Sequence, residues 1–236
     1  LNTCGGWSKA ANNQPKNLRM PYTKELWVNG RKLASIYKLV DPFEKNFSLW
    51  VENAVKSTGD MIDDPYCIGF FCNNEIHWGK NPVAVVKDIY NCDTAVASKK
   101  ELDDFLAAKN IDIKDATNEQ LLSFYSYLLE TYYKKCRDAI KKIAPNKLYL
   151  GSRLHDGALR KEAFSAAAKY CDVVSVNVYE KDVKEFNVRD DRDKPFFTDD
   201  VPFLVGEFDF GALDRGKFFT GIGFAADQRN RGECLK

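Results

Sequence analysis

Two glutamates stand where an apolar run gives out. Cys67-Ile68-Gly69-Phe70-Phe71-Cys72 stops in Asn73-Asn74-Glu75-Ile76-His77-Trp78-Gly79, and Pro202-Phe203-Leu204-Val205 stops in Gly206-Glu207-Phe208-Asp209-Phe210-Gly211. Two carboxylates brought to one face of a fold are the minimal equipment for cleaving a glycoside, one as acid and one as nucleophile. Taken singly, each also reads as a loop carboxylate or a structural ion-pair partner. Trp7, Trp27 and Trp78 fall at or just past the ends of apolar runs, whereas Trp50 lies inside an amphipathic stretch. Sugar rings offer C–H faces that stack on indole, so these three suit a carbohydrate cleft; capping a core is their other reading. Cys67, Cys72 and His77 invite comparison with a metal site. No CxxC or HxxxH spacing accompanies them, and buried thiols on a strand account for the pattern better.

The elements that must carry these residues follow from periodicity. Short apolar runs alternate with longer amphipathic stretches, the mark of repeated βα units and a mostly parallel sheet. Strands are predicted near 1–6, 20–27, 67–74, 147–153, 172–179 and 202–208. A helix over 42–62 should follow Asp41-Pro42, and one over 118–144 should follow Thr117 with Gln120 closing a capping box. Further helices are expected over 158–170 and, shorter, over 99–109; the charged run Arg189–Lys194 reads as a solvated loop. Parallel α/β sheets place ligands at the carboxyl ends of their strands, which is where both glutamates fall. Arg153, His155 and Asp156 end the fourth predicted strand and are candidates for lining a cleft or for structural salt bridges.

Composition narrows the function. The 236 residues carry 35 Lys and Arg against 34 Asp and Glu, a net charge of +1 that leaves no basic surplus for phosphates. No apolar run approaches the ~20 residues that span a bilayer. Nucleic-acid and membrane partners are therefore not expected. Seven cysteines, an odd number in a chain of this length, do not form a small disulfide framework. An open sheet binding a nucleotide is a further possibility, with only Gly5-Gly6 to recommend it.

The segments around both glutamates are similar to those of a known family. Asn74-Glu75 and Glu207, three βα units apart, resemble the acid/base and nucleophile positions of clan A retaining glycoside hydrolases, which are (β/α)8 barrels of the TIM type. More narrowly, Gly69–Gly79 and Gly206–Gly216 resemble the two catalytic segments of β-agarase-type enzymes of glycoside hydrolase family fifty. Asp172–Glu180, with Asn177-Val178-Tyr179, resembles that family's sixth strand, and Asn2-Thr3 with Gly6-Trp7-Ser8 its second. The resemblance implies a single catalytic barrel domain over 1–236, with Glu75 as acid/base, Glu207 as nucleophile and Tyr179 orienting Glu207. Asn74, His77, Trp78, Trp7, Trp27, Arg153 and Asp209 would meet a galactan or agarose-type substrate. No metal or organic cofactor is implied, and export to the cell exterior or periplasm is. The rival reading is a non-catalytic, carbohydrate-binding remnant of such a barrel. By the same resemblance the six predicted strands are the second to seventh, so the first and eighth are expected outside Leu1–Lys236. Residues 218–236 are expected to begin the seventh helix, and the fragment by itself is expected to hydrolyse little.

Overall fold

The computed structural model describes residues 3–8, 14–33, 36, 38–79, 81–155, 160–179 and 201–234. Among them, strands β1 (Tyr22–Leu26), β2 (Cys67–Cys72), β3 (Leu148–Tyr149), β4 (Leu154–His155), β5 (Val174–Asn177) and β6 (Phe203–Glu207) pair in parallel. They are accompanied by helices α1 (Phe47–Lys56), α2 (Pro82–Tyr90), α3 (Ala97–Ala107), α4 (Asn118–Ile143), α5 (Lys161–Tyr170) and α6 (Gln228–Glu233). The chain is mixed α/β, as its pattern predicts. Asn2, Asp156, Glu180, Arg189–Lys194 and the expected start of α5 at 158 lie outside the described residues.

The described strands form two three-stranded parallel sheets, β1-β2-β3 and β4-β5-β6, and the first is centred on β2, whose buried run is covered on both faces as parallel strands require. β1 lies on one side of β2, and Cys4 adds a single parallel bridge beyond β1 at Tyr22. Of the strand predicted over 1–6, the described residues 3–6 contribute that bridge. On the other side, the one strand predicted over 147–153 is broken in two. Gly151 (φ 77°) and Arg153 (φ 49°) take left-handed backbone, and the chain turns between β3 and β4. Leu150 N–H still bonds to Phe70, Cys72 N–H to Gly151 and Glu75 N–H to Ser152, so β2 stays bonded alongside the break. β4 then pairs with β5, and β5 with β6. Among the described residues no pairing links β6 back to Cys4 or β1.

Helix α4 covers the sheet. Thr117 and Gln120 cap it reciprocally as predicted, and its buried face presents Tyr125, Tyr132 and Tyr133. It packs against α1, α2 and α5. Two boundaries differ from expectation. Helix α1 starts at Phe47 rather than after Asp41, because the buried Asp41 carboxylate is engaged elsewhere. It accepts from Phe43 N–H, Ser98 N–H and Ser98 Oγ, tying the 41–43 turn to the start of α3. Helix α6 covers only Gln228–Glu233 of the helical stretch expected over 218–236, and Asp214 and Asp227 fasten the preceding turns. Helix α2 was not anticipated. Its signal is Asn81-Pro82, in which the Asn81 side chain accepts from Ala84 N–H and Pro takes the first turn. Among the described residues no helix is long and apolar enough to cross a membrane.

Candidate active site

The carboxyl end of β2 is a constrained turn. Asn73 (φ 59°) and Glu75 (φ 49°) both adopt left-handed backbone, which is ordinary for Asn and uncommon for Glu. The surroundings hold it there. Asn73 N–H donates to Leu26, the Asn73 amide joins Val28 N–H to the Tyr132 hydroxyl, and Tyr132 donates in turn to Cys72 C=O. Glu75 is thereby turned toward β5, where Asn177 Nδ2 donates to its Oε1 at 2.7 Å; Lys38 Nζ stands 3.9 Å from its Oε2.

Glu207 ends β6, opposite Asn177, where a register shift between Val176 and Asn177 re-aims the strand. Its carboxylate is held at both oxygens. Trp7 Nε1 donates to Oε1 at 2.8 Å, and the Tyr179 hydroxyl donates to Oε2 at 2.7 Å. Burial, and then the bond to Glu207, hold the Tyr179 phenol well above the usual tyrosine range, so it remains a donor. Asn177 therefore links the two glutamates, bonded to one and in register with the other. Asn74 and Asn177 each keep a buried Oδ1 that accepts no hydrogen bond among the described residues. Such atoms are costly to bury unless a polar ligand supplies the missing donor.

The remaining predicted residues separate into groups. Trp7 and Trp27 are 55% and 51% exposed, with ring centroids 6.0 Å apart, and form one aromatic surface beside Glu207. Trp78 does not join them. It is 0% exposed and packs against Tyr132 and Tyr133, and its carbonyl accepts from Tyr125. The expectation that it lines the cleft is therefore corrected; α4 covers it. Arg153 is corrected in the same way. It is 0% exposed, its guanidinium carbon lies 4.7 Å from the Trp7 ring centre and 4.8 Å from that of Phe71, and its Nη1 is 3.4 Å from Glu207 Oε1. It backs the site rather than facing a substrate. Asp209, half-buried, fastens a loop through one oxygen: its Oδ2 accepts from Ile222 N–H, and Gly221 leaves the space its carboxylate occupies. His77 meets His155 at the end of β4, Nε2 to Nε2 at 3.2 Å. Cys67 and Cys72 are buried on β2, and the described residues contain no group of three or more side chains able to hold a metal.

Glu25 was missed altogether. It lies on β1, is 5% exposed, and has Oε1 3.1 Å from Arg153 Nη2. Asn177 enters the sequence reading only within the Asn177-Val178-Tyr179 segment, with no role of its own at the site.

No family model matches the chain. Beta-agarase B of Vibrio sp. (strain JT0107) is 29% identical over 81% of this chain and 23% of its own length. Beta-agarase A of the same strain is 26% identical over the whole of this chain and 28% of its own. Among solved structures, that of an exo-beta-agarase superposes with a TM-score of 0.82 at 24% identity, over 100% of this chain and 36% of the other. The relatives are agarases. The chain spans about a quarter of the length of the curated relatives it matches, and it shares the fold of the corresponding part of the solved structure.

Proposed function

We propose that these residues form the catalytic centre of a retaining glycoside hydrolase acting on an agarose-type galactan, and that the parallel sheet is part of a (β/α)8 barrel. The observation that carries this is the setting of Glu207. Donors grip both of its oxygens, and the acid candidate Glu75 is fixed on the neighbouring strand ends through Asn177. Agarase similarity supplies the substrate class. Glu207 attacks the anomeric carbon while Glu75 gives its proton to the departing glycosidic oxygen. The C–O bond breaks and a glycosyl ester forms on Glu207. Water then attacks that ester, Glu75 takes the water's proton, and Glu207 leaves as carboxylate. Asn74 is suited to accept from the hydroxyl next to the anomeric centre, and Trp7 with Trp27 to stack a sugar ring.

The test is incubation of the whole protein, rather than residues 1–236 alone, with a panel of agar- and galactan-type polysaccharides, with the products separated and the first-formed anomer read by NMR. Neoagaro-oligosaccharides released with retained configuration are expected. First-formed products of inverted configuration would replace the two-step route, and binding without release would favour the non-catalytic remnant.

A further inference from the structure

Glu25 and Arg153 extend a line of charge behind Glu207, and the chemistry above uses neither of them. Arg153 is shared between two carboxylates, at 3.1 Å from Glu25 and 3.4 Å from Glu207. Both separations exceed the 2.7–2.9 Å of a charge-assisted bond made to one partner alone. The rings of Trp7 and Phe71 lie 4.7 and 4.8 Å from the guanidinium carbon, and within that crowded site the two carboxylates compete for the cation. The backbone makes room for the arrangement. A methyl group on Gly6 would overlap Glu25 Oε1, and one on Gly206 would lie 2.7 Å from Arg153 Cδ.

We propose that Glu25 is a positioning residue for Glu207, acting through Arg153: by drawing the guanidinium back, it keeps Arg153 from closing on the Glu207 oxygen that Trp7 also holds. This rests on reading Glu207 as the nucleophile. A carboxylate in full contact with a buried arginine is a poor nucleophile, whereas one with the cation held slightly off keeps its charge available for attack. Trp7 reports on the device, because its indole N–H donates to the same oxygen and its ring lies 4.7 Å from the Arg153 guanidinium carbon.

The experiment compares Glu25→Gln and Glu25→Asp with the unaltered protein. The Trp7 indole signal is followed in 1H–15N spectra, assigned by its loss in Trp7→Phe, and kcat and KM are measured on agarose oligosaccharides. Glu25→Gln should displace the Trp7 signal and lower kcat about tenfold to a hundredfold, with KM within about twofold, as expected for a misplaced reacting group. Glu25→Asp, which keeps the charge, should recover part of both. An unmoved Trp7 signal in Glu25→Gln, or a loss of activity that tracks only the folded fraction, would overturn the proposal. If Glu25→Gln does not fold, Glu25→Asp decides: a displaced signal with lowered kcat supports the positioning role, and unaltered values overturn it. Should the whole protein release no sugar while Glu25→Gln still displaces the signal, the coupling of Glu25 to the Glu207 carboxylate through Arg153 stands and the hydrolase reading alone falls.

Discussion

Glu207 and Glu75 would differ in how their loss is felt. Glu207→Gln removes the attacking charge and keeps the shape, so turnover should vanish while oligosaccharide affinity, measured by calorimetry, survives. Glu75→Ala should slow substrates with poor leaving groups by about 10²–10⁴ and spare activated aryl glycosides, which need little protonation. Equal losses on both substrate types would sink the acid/base assignment. Tyr179 gives a pH prediction. Its phenol is held above the usual range, so the bond to Glu207 is intact at ordinary pH and is lost only as pH rises through that raised value. Tyr179→Phe should therefore lower kcat across the whole neutral range rather than only at its alkaline end. At this scale the sequence located both glutamates, because a charge that ends an apolar run is conspicuous. It could not separate Arg153 from substrate-facing residues, since an arginine is the same letter whether solvent or aromatic rings lie against it.

The tryptophans illustrate the scale of the element. Three indoles fall at strand ends in the sequence, but α4 lies over only one of them. Trp78→Ala should cost about 3–5 kcal/mol of stability, read by denaturant unfolding, because it empties a fully buried site against Tyr132 and Tyr133. Trp7→Ala removes a half-exposed ring and should weaken oligosaccharide binding more than folding. A collapse of stability in Trp7→Ala with affinity unchanged would assign that ring to the core. Helix α4 was legible because its capping box and long period are local signals. The division of one predicted strand into β3 and β4 was not. The left-handed turn at Gly151 and Arg153 is fixed by Ser175, which accepts from Arg153 N–H and donates to Leu150 C=O. Those partners lie more than twenty residues away.

Across the whole molecule, carboxylates fasten sheet to helix and set the response to acid. Burial pushes the Asp172 carboxyl up, but the Lys141 ammonium and Tyr149 N–H outweigh it and hold it below the usual range, pinning α4 to β3. Asp64 is likewise held low, burial being outweighed by Tyr66 N–H, the Tyr22 hydroxyl and Arg19. A carboxyl depressed in the folded state contributes stability above its unfolded value of about 4 and loses it as pH falls through the folded one. Unfolding monitored from pH 6 downward should show stability falling below about pH 4. Asp172→Asn should be less stable by roughly 1 kcal/mol at neutral pH and lose less on acidification. By itself, the sequence determined the alternation of strand and helix, the α4 cap and the placing of Glu75 and Glu207 at strand ends, because these are written within a few residues of one another. The tertiary structure alone decided that Trp78 is core, that Asp209 secures a loop, and that Glu25 and Arg153 stand behind Glu207. Periodicity tells which way a side chain points along its own element, but burial and charge pairing are set by what other elements bring against it.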